Sequence, residues 1–228
     1  MTSGIRIGIL GGTFDPVHLG HIETAHAARR ALALDRVLVM PSGTPPHRQQ
    51  QPVASRCHRF AMAAMAVTGL PGLHVSDLEI GETGPTYTFD TLTRLHEHGI
   101  DPLQIFFITG ADAFAEIETW SRYPRVLDMA NFAVISRPGR QASSLRATLP
   151  SLAARMADDA GAGGVPAQAT IFLIDAPTPD VSSTDVRRRL EEGRSIAGLV
   201  PPLVETYITQ HALYTGARVN AAIGRSLA

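Results

Sequence analysis

Six apolar runs of strand length punctuate the chain: IRIGIL (5–10), RVLVM (36–40), LHVSDLEI (73–80), IFFIT (105–109), NFAVIS (131–136) and ATIFLIDA (169–176). Each is followed by a stretch with helical spacing, or by a loop leading into one. Such runs offer no polar face to water, so a sheet built from them must be covered on both sides. Strands that alternate with helices pair in parallel. The pattern therefore predicts an α/β fold, a doubly wound parallel sheet whose ligands meet the carboxyl ends of the strands. Helices are expected near 18–34, 55–67, 88–98, 145–157 and 202–211, and VSSTDVRRRL (181–190) opens another. The stretch 158–169 reads as a flexible linker.

At 228 residues the chain suits one large domain or one domain with a small appendage. A net charge of −1 gives no basic excess for a nucleic-acid backbone. The single Cys57 excludes an internal disulfide and fits a reducing compartment. No apolar run approaches the roughly 20 residues of a membrane span, and MTSGIRIGIL lacks the layout of an export signal. A cytoplasmic protein without nucleic-acid or membrane partners is expected. All 20 basic residues are arginine. A phosphate loop that needs a lysine is thereby excluded, as is a Schiff base on a lysine of this chain. Phosphate handling would fall to arginine, histidine, backbone amides and metal.

The first apolar run ends in GGTFDPVHLGHI (11–22). Gly11 and Gly12 let a phosphate approach the backbone. Asp15-Pro16 reads as a turn that launches a helix, and His18 and His21 fall three apart on its first turn. The positive potential at a helix start disfavours imidazolium, so both rings are expected neutral at pH 7 unless an anion sits beside them. Neutral N–H donors beside open amides suit a polyphosphate; the plainer alternative is a strand–loop–helix turn with two exposed histidines. A zinc pair is disfavoured because further ligands are scarce. In VSSTDVRRRL, Ser182, Thr184 and Arg187 form an S-x-T-x-x-R pattern at a second helix start, again a ready anion site. Its plainer alternative is an ordinary cap with a solvated basic face, which Arg188 and Arg189 fit. Two such helix starts together suggest a triphosphate site.

With these motifs the chain resembles the HxGH-motif nucleotidyltransferases, and within them the bacterial nicotinate-nucleotide adenylyltransferases. Four further stretches carry the resemblance to that branch: PSGTPPHR (41–48), GPTYTFDTL (84–92), GADAF with Trp120 (110–120) and LVPPLVETYITQHALY (199–214). The resemblance implies a Rossmann-like nucleotidyltransferase domain over 1–215, with 177–215 as its C-terminal helical part and 216–228 as a poorly patterned tail. It implies transfer of the adenylyl group of ATP to nicotinate mononucleotide in NAD biosynthesis, with Mg²⁺ and pyrophosphate release. A phosphorylated acceptor of another kind (nicotinamide mononucleotide or pantetheine phosphate) and a non-catalytic nucleotide-binding module are the alternatives, and a homo-oligomer is left open. No protein metal ligands are implied.

By the same resemblance, His18, His21 and Arg187 are the catalytic groups. Gly11, Gly12, Thr13, Phe14, Ser182, Thr184 and Asp112 would hold ATP, although Asp112 also reads as a helix cap. His47, Arg48, Thr86, Tyr87, Thr88, Trp120, Ser121 and Arg137 would hold the acceptor. Nicotinate carries a carboxylate, so the amides near Thr86–Thr88 and that of Ser121 would serve as donors. Trp120 would stack on the pyridine ring, with core packing as its alternative. Two departures stand out. Glu82 occupies a position where the family frequently carries arginine, and 140–168 is longer and richer in alanine than usual. Cys57 is expected as an inert, buried or half-buried thiol.

Overall fold

The computed structural model describes residues 4–45, 52–158 and 165–215. Seven strands form one sheet: β1 (Ile7–Gly12), β2 (Arg36–Pro41), β3 (Leu73–Val75), β4 (Ile105–Gly110), β5 (Asn131–Ile135), β6 (Met156–Ala157) and β7 (Ile171–Ile174). Their order is β3-β2-β1-β4-β5-β7-β6, and every pairing is parallel. From β1 the chain winds outward to β2 and β3, then returns to lay β4 and β5 on the other side. The strand order thus switches between β1 and β4, where a doubly wound sheet opens a crevice at its carboxyl edge.

Alternation along each strand sends side chains to two cores. Ile7, Ile9, Ile105, Phe107, Phe132, Val134, Ile171 and Leu173 enter one; Leu10, Phe106, Ile108, Ala133, Ile135, Phe172 and Ile174 enter the other. The first core is covered by α3 (Thr88–Glu97), the short α4 (Ala111–Phe114) and α5 (Leu145–Thr148). The second is covered by α1 (Leu19–Ala31), α2 (Arg56–Val67), α6 (Ser183–Glu191) and α7 (Pro202–Gln210). Val186, Val204, Ile208 and Tyr214 are buried in that same second core, continuous with α1 and α2.

Two expectations are revised. The run 73–80 pairs only over Leu73–Val75; beyond it the chain turns, with the Ile80 amide bonded to the Asp77 carbonyl at 2.8 Å. The turn brings the Glu79 carbonyl against Gly43, where any Cβ would collide with it. The helix expected over 145–157 stops at Thr148. Pro150 lacks the amide a helix needs, so 3₁₀ turns follow over Pro150–Arg155, and Met156–Ala157 joins the sheet edge.

Candidate active site

β1 delivers Gly12 to the crevice, and α1 begins at its N-cap His18. The His18 amide donates to Nδ1 of His21 at 3.2 Å, which leaves the His21 proton on Nε2. The two rings stack, with centroids 3.6 Å apart. His18 is buried, against the alternative of two exposed histidines, and its Nδ1 has no partner among the described residues. Burial, then the charge of Arg137, lowers the His18 pKa to about 3. Burial first, then His18 and Arg137, puts His21 well below its ordinary value. Both imidazoles are neutral at pH 7, but burial is the larger cause, where the sequence suggested the helix end. Phe14 is 1% exposed, and its ring meets His21 edge-on at 4.8 Å, so it backs an imidazole.

The loop between β1 and α1 is held from behind. Its carbonyls at Thr13, Asp15 and Pro16 accept from Arg59 of α2 (2.8 Å), Arg187 of α6 (2.6 Å) and the Ser183 hydroxyl (2.9 Å). The α6 start is thereby fastened to the α1 start. Ser182 caps α6, accepting from the Asp185 amide at 3.1 Å, and its own hydroxyl hydrogen remains available. Arg187 also donates to Thr184 at 3.4 Å. Arg188 and Arg189 instead pair with Asp185, as the solvated-face reading had them. Arg137, just beyond β5, lies 3.9 Å from Asp112, just beyond β4, and a side chain at Gly110 would strike the Asp112 carboxylate. Gly110 is the N-cap of α4 and Asp112 sits inside its first turn, so the capping alternative for Asp112 falls away.

Beside this loop lies a cavity of about 610 Å³ whose wall includes Gly11, Gly12, Thr13, Thr86, Tyr87, Thr88, Trp120 and Ser121. His18, His21, Asp112, Arg137, Ser182, Thr184 and Arg187 lie outside that wall. Trp120 presents its body to the cavity while packing edge-on to Phe107 at 5.9 Å. The donor set differs from expectation at one point. The Thr86 amide is already bonded to the Thr44 carbonyl at 3.0 Å. The amides of Thr88 and Ser121 carry no partner among the described residues and are left to meet an anion. Glu79 and Glu116 also line the cavity, neither singled out by a motif. Glu79 is 7% exposed and accepts from Thr91 at 2.6 Å.

Glu82 pairs with Arg94 at 2.6 Å and so has a partner of its own. Cys57 is exposed rather than buried, at the start of α2. The neighbouring His58 bonds the Tyr207 hydroxyl at 2.9 Å. His47, Arg48, the tail 216–228 and most of the linker's glycine-rich centre (159–164) lie outside the described residues.

Residues 9–189 match the family model described as cytidylyltransferase-like. The "probable nicotinate-nucleotide adenylyltransferase" of Desulfatibacillum aliphaticivorans is 39% identical over 218 residues, covering 92% of this chain and all of that protein. The protein of the same name from Roseiflexus sp. strain RS-1 is 42% identical over 214 residues, covering 93% and 99% of the two chains. Among solved structures, a Plasmodium falciparum nicotinic acid mononucleotide adenylyltransferase complexed with NaAD superposes with a TM-score of 0.71 at 20% identity. It covers 92% of this chain and 98% of its own, a likeness of fold. The chain belongs to the cytidylyltransferase-like family and, within it, to the nicotinate-nucleotide adenylyltransferases.

Proposed function

We propose that the chain joins ATP to nicotinate mononucleotide, giving nicotinate adenine dinucleotide and pyrophosphate. The observation that carries this reading is the fastening of the second anion-binding helix start to the first, through Ser183 on Pro16 and Arg187 on Asp15. One polyphosphate can then reach both. An acceptor phosphate oxygen attacks the α-phosphorus, a new P–O bond forms, and the bond to the bridging oxygen breaks as pyrophosphate departs. The acceptor phosphate is largely ionised at neutral pH and needs no base. Without an anion beside it, the buried His18 ring is neutral at pH 7 and offers an N–H rather than an acidic proton. His18 and His21 therefore act as neutral hydrogen-bond donors to the α-phosphate as charge builds there. Ser182, Thr184 and Arg187 hold the β- and γ-phosphates, and Asp112, after β4, and Arg137, after β5, face the nucleotide.

The cavity takes the acceptor. Trp120 stacks on the pyridinium, and the Thr88 and Ser121 amides receive the carboxylate. No cluster of three or more His, Cys, Asp or Glu side chains suited to a metal occurs among the described residues. With ATP bound, a Mg²⁺ ion would be carried by the triphosphate oxygens and water. Such an ion neutralises charge on the leaving group. No described helix is long and apolar enough to cross a membrane.

The test is pyrophosphate release from ATP and Mg²⁺ with nicotinate mononucleotide, its amide and pantetheine phosphate as rival acceptors. Strong preference for the acid is expected. Equal use of the amide overturns the role given to the Thr88 and Ser121 amides, and silence with all three overturns the reaction.

A further inference from the structure

The buried carboxylate of Asp15 gathers donors from separate parts of the chain. It is 1% exposed. Its Oδ1 accepts from the Tyr214 hydroxyl at 2.8 Å and the Ala54 amide at 3.0 Å, and its Oδ2 accepts from the Val53 amide at 2.9 Å. These donors come from the residues leading into α2 and from the segment after α7. Hydrogen bonds to a carboxylate in a dry setting are strong and exacting in geometry.

A second joint lies one turn into α2. Arg59, 1% exposed, donates to the Thr13 carbonyl at 2.8 Å and the Gly43 carbonyl at 2.9 Å. Gly43 stands between Ser42, which lines the cavity, and Thr44, whose carbonyl holds the Thr86 amide. Arg59 thus joins the loop facing the phosphates to the segment beside the acceptor wall, and Asp15 fastens the same loop to the residues leading into Arg59's helix and to Tyr214. Tyr214 holds the Asp15 joint closed at a backbone φ of 62°, a region that bulky residues adopt only when their surroundings over-determine it.

We propose that Asp15 and Tyr214 form a strut coupling the two halves of the cleft, so that each substrate tightens the binding of the other. This rests on reading the cleft as a site for two substrates. The switching element is the segment 52–55, docked on the Asp15 carboxylate or released from it. A nucleotide on the 12–16 loop favours the docked state, which in turn orders the cavity wall through Arg59 and Gly43. The second ligand then meets a site already ordered, and the coupling is reciprocal. Asp15 and Tyr214 are positioning residues; neither is required to touch substrate.

The test is calorimetric binding of nicotinate mononucleotide to the full chain, with and without a saturating non-hydrolysable ATP analogue. In the wild type the analogue should tighten the mononucleotide about fivefold or more, within the usual range of such couplings. Tyr214→Phe, which deletes only the hydroxyl, should bring that factor within about twofold of unity while each ligand alone binds nearly as before. Ile208→Val, a trimmed core contact of α7, should lower the melting temperature and keep the coupling. Full coupling in Tyr214→Phe overturns the strut. So does equal loss in Ile208→Val, which would trace the effect to stability alone. Binding of both ligands to the wild type without coupling also overturns it, whereas failure to bind either overturns the two-substrate reading itself. Should Tyr214→Phe not fold, hydrogen exchange of the wild type decides. The analogue alone should slow exchange at Val53 and Ala54, and unchanged rates there overturn the strut.

Discussion

The phosphate cradle and the acceptor cavity are built on opposite principles. In the cradle, side chains from two helices grip the loop carbonyls from behind at Thr13, Asp15 and Pro16, and two stacked imidazoles stand in front. In the cavity, an open volume of about 610 Å³ is bounded by a half-buried tryptophan, loop amides and two acidic side chains. The difference teaches where each kind of error should appear. Charge that develops only during reaction is met by a braced loop, so damage there should fall on turnover. A ligand that must enter and leave is met by an open volume, so damage there should fall on affinity.

The largest effect that would break this contrast is at His18. His18→Ala should lower kcat about a hundred- to a thousand-fold, with KM for both substrates changed far less, in steady-state pyrophosphate release. A loss confined to KM would place His18 with the cavity instead. Next, Trp120→Ala should raise KM for the acceptor about tenfold and leave KM for ATP nearly unchanged, in keeping with a desolvated cation–π contact of about 1–2 kcal/mol. A pure kcat loss would erase the distinction.

A third measurement sharpens the contrast through pH. The folded pKa of His18, about 3, lies below its unfolded value, so the unfolded chain binds more protons at mildly acid pH. Stability should therefore be full above about pH 6.5 and decline as pH falls toward 3, by about 1.4 kcal/mol per unit from this residue. Thermal melts at stepped pH should show that slope reduced in His18→Asn. Least of all, Arg188→Ala should leave turnover within about twofold and stability within about 0.5 kcal/mol, because its partner is an exposed intrahelical pair. A large effect there would move Arg188 into the cradle beside Arg187.

The local elements that carry the proposed substrate-facing groups were legible in the sequence, because they rest on local rules. Glycines after a strand, a cap at Ser182 and histidines one turn apart are each written within a dozen residues. What braces those groups was not legible. Asp15 reads as a turn former, yet its carboxylate bonds residues 38, 39 and 199 positions away. Arg59 and Tyr214 sit in ordinary helical and C-terminal patterns, and only the packed sheet brings them to the loop. Thr86 failed as an amide donor for a similar reason, since its partner Thr44 lies on another loop. Pro150 was a local signal that the alanine-rich run around it obscured.

The bond from Tyr214 to Asp15 also bears on timing. A chain made from its N-terminus exposes Asp15 199 residues before the phenol that completes its shell, and the histidines follow Asp15 within six residues. Contacts of such span close late in folding, after the local helix starts are formed. An unfinished chain would hold its substrate-facing groups on a loop whose final brace has yet to be synthesised. Competence would then arrive only once Tyr214 has been made, and products truncated before it would make poor consumers of ATP.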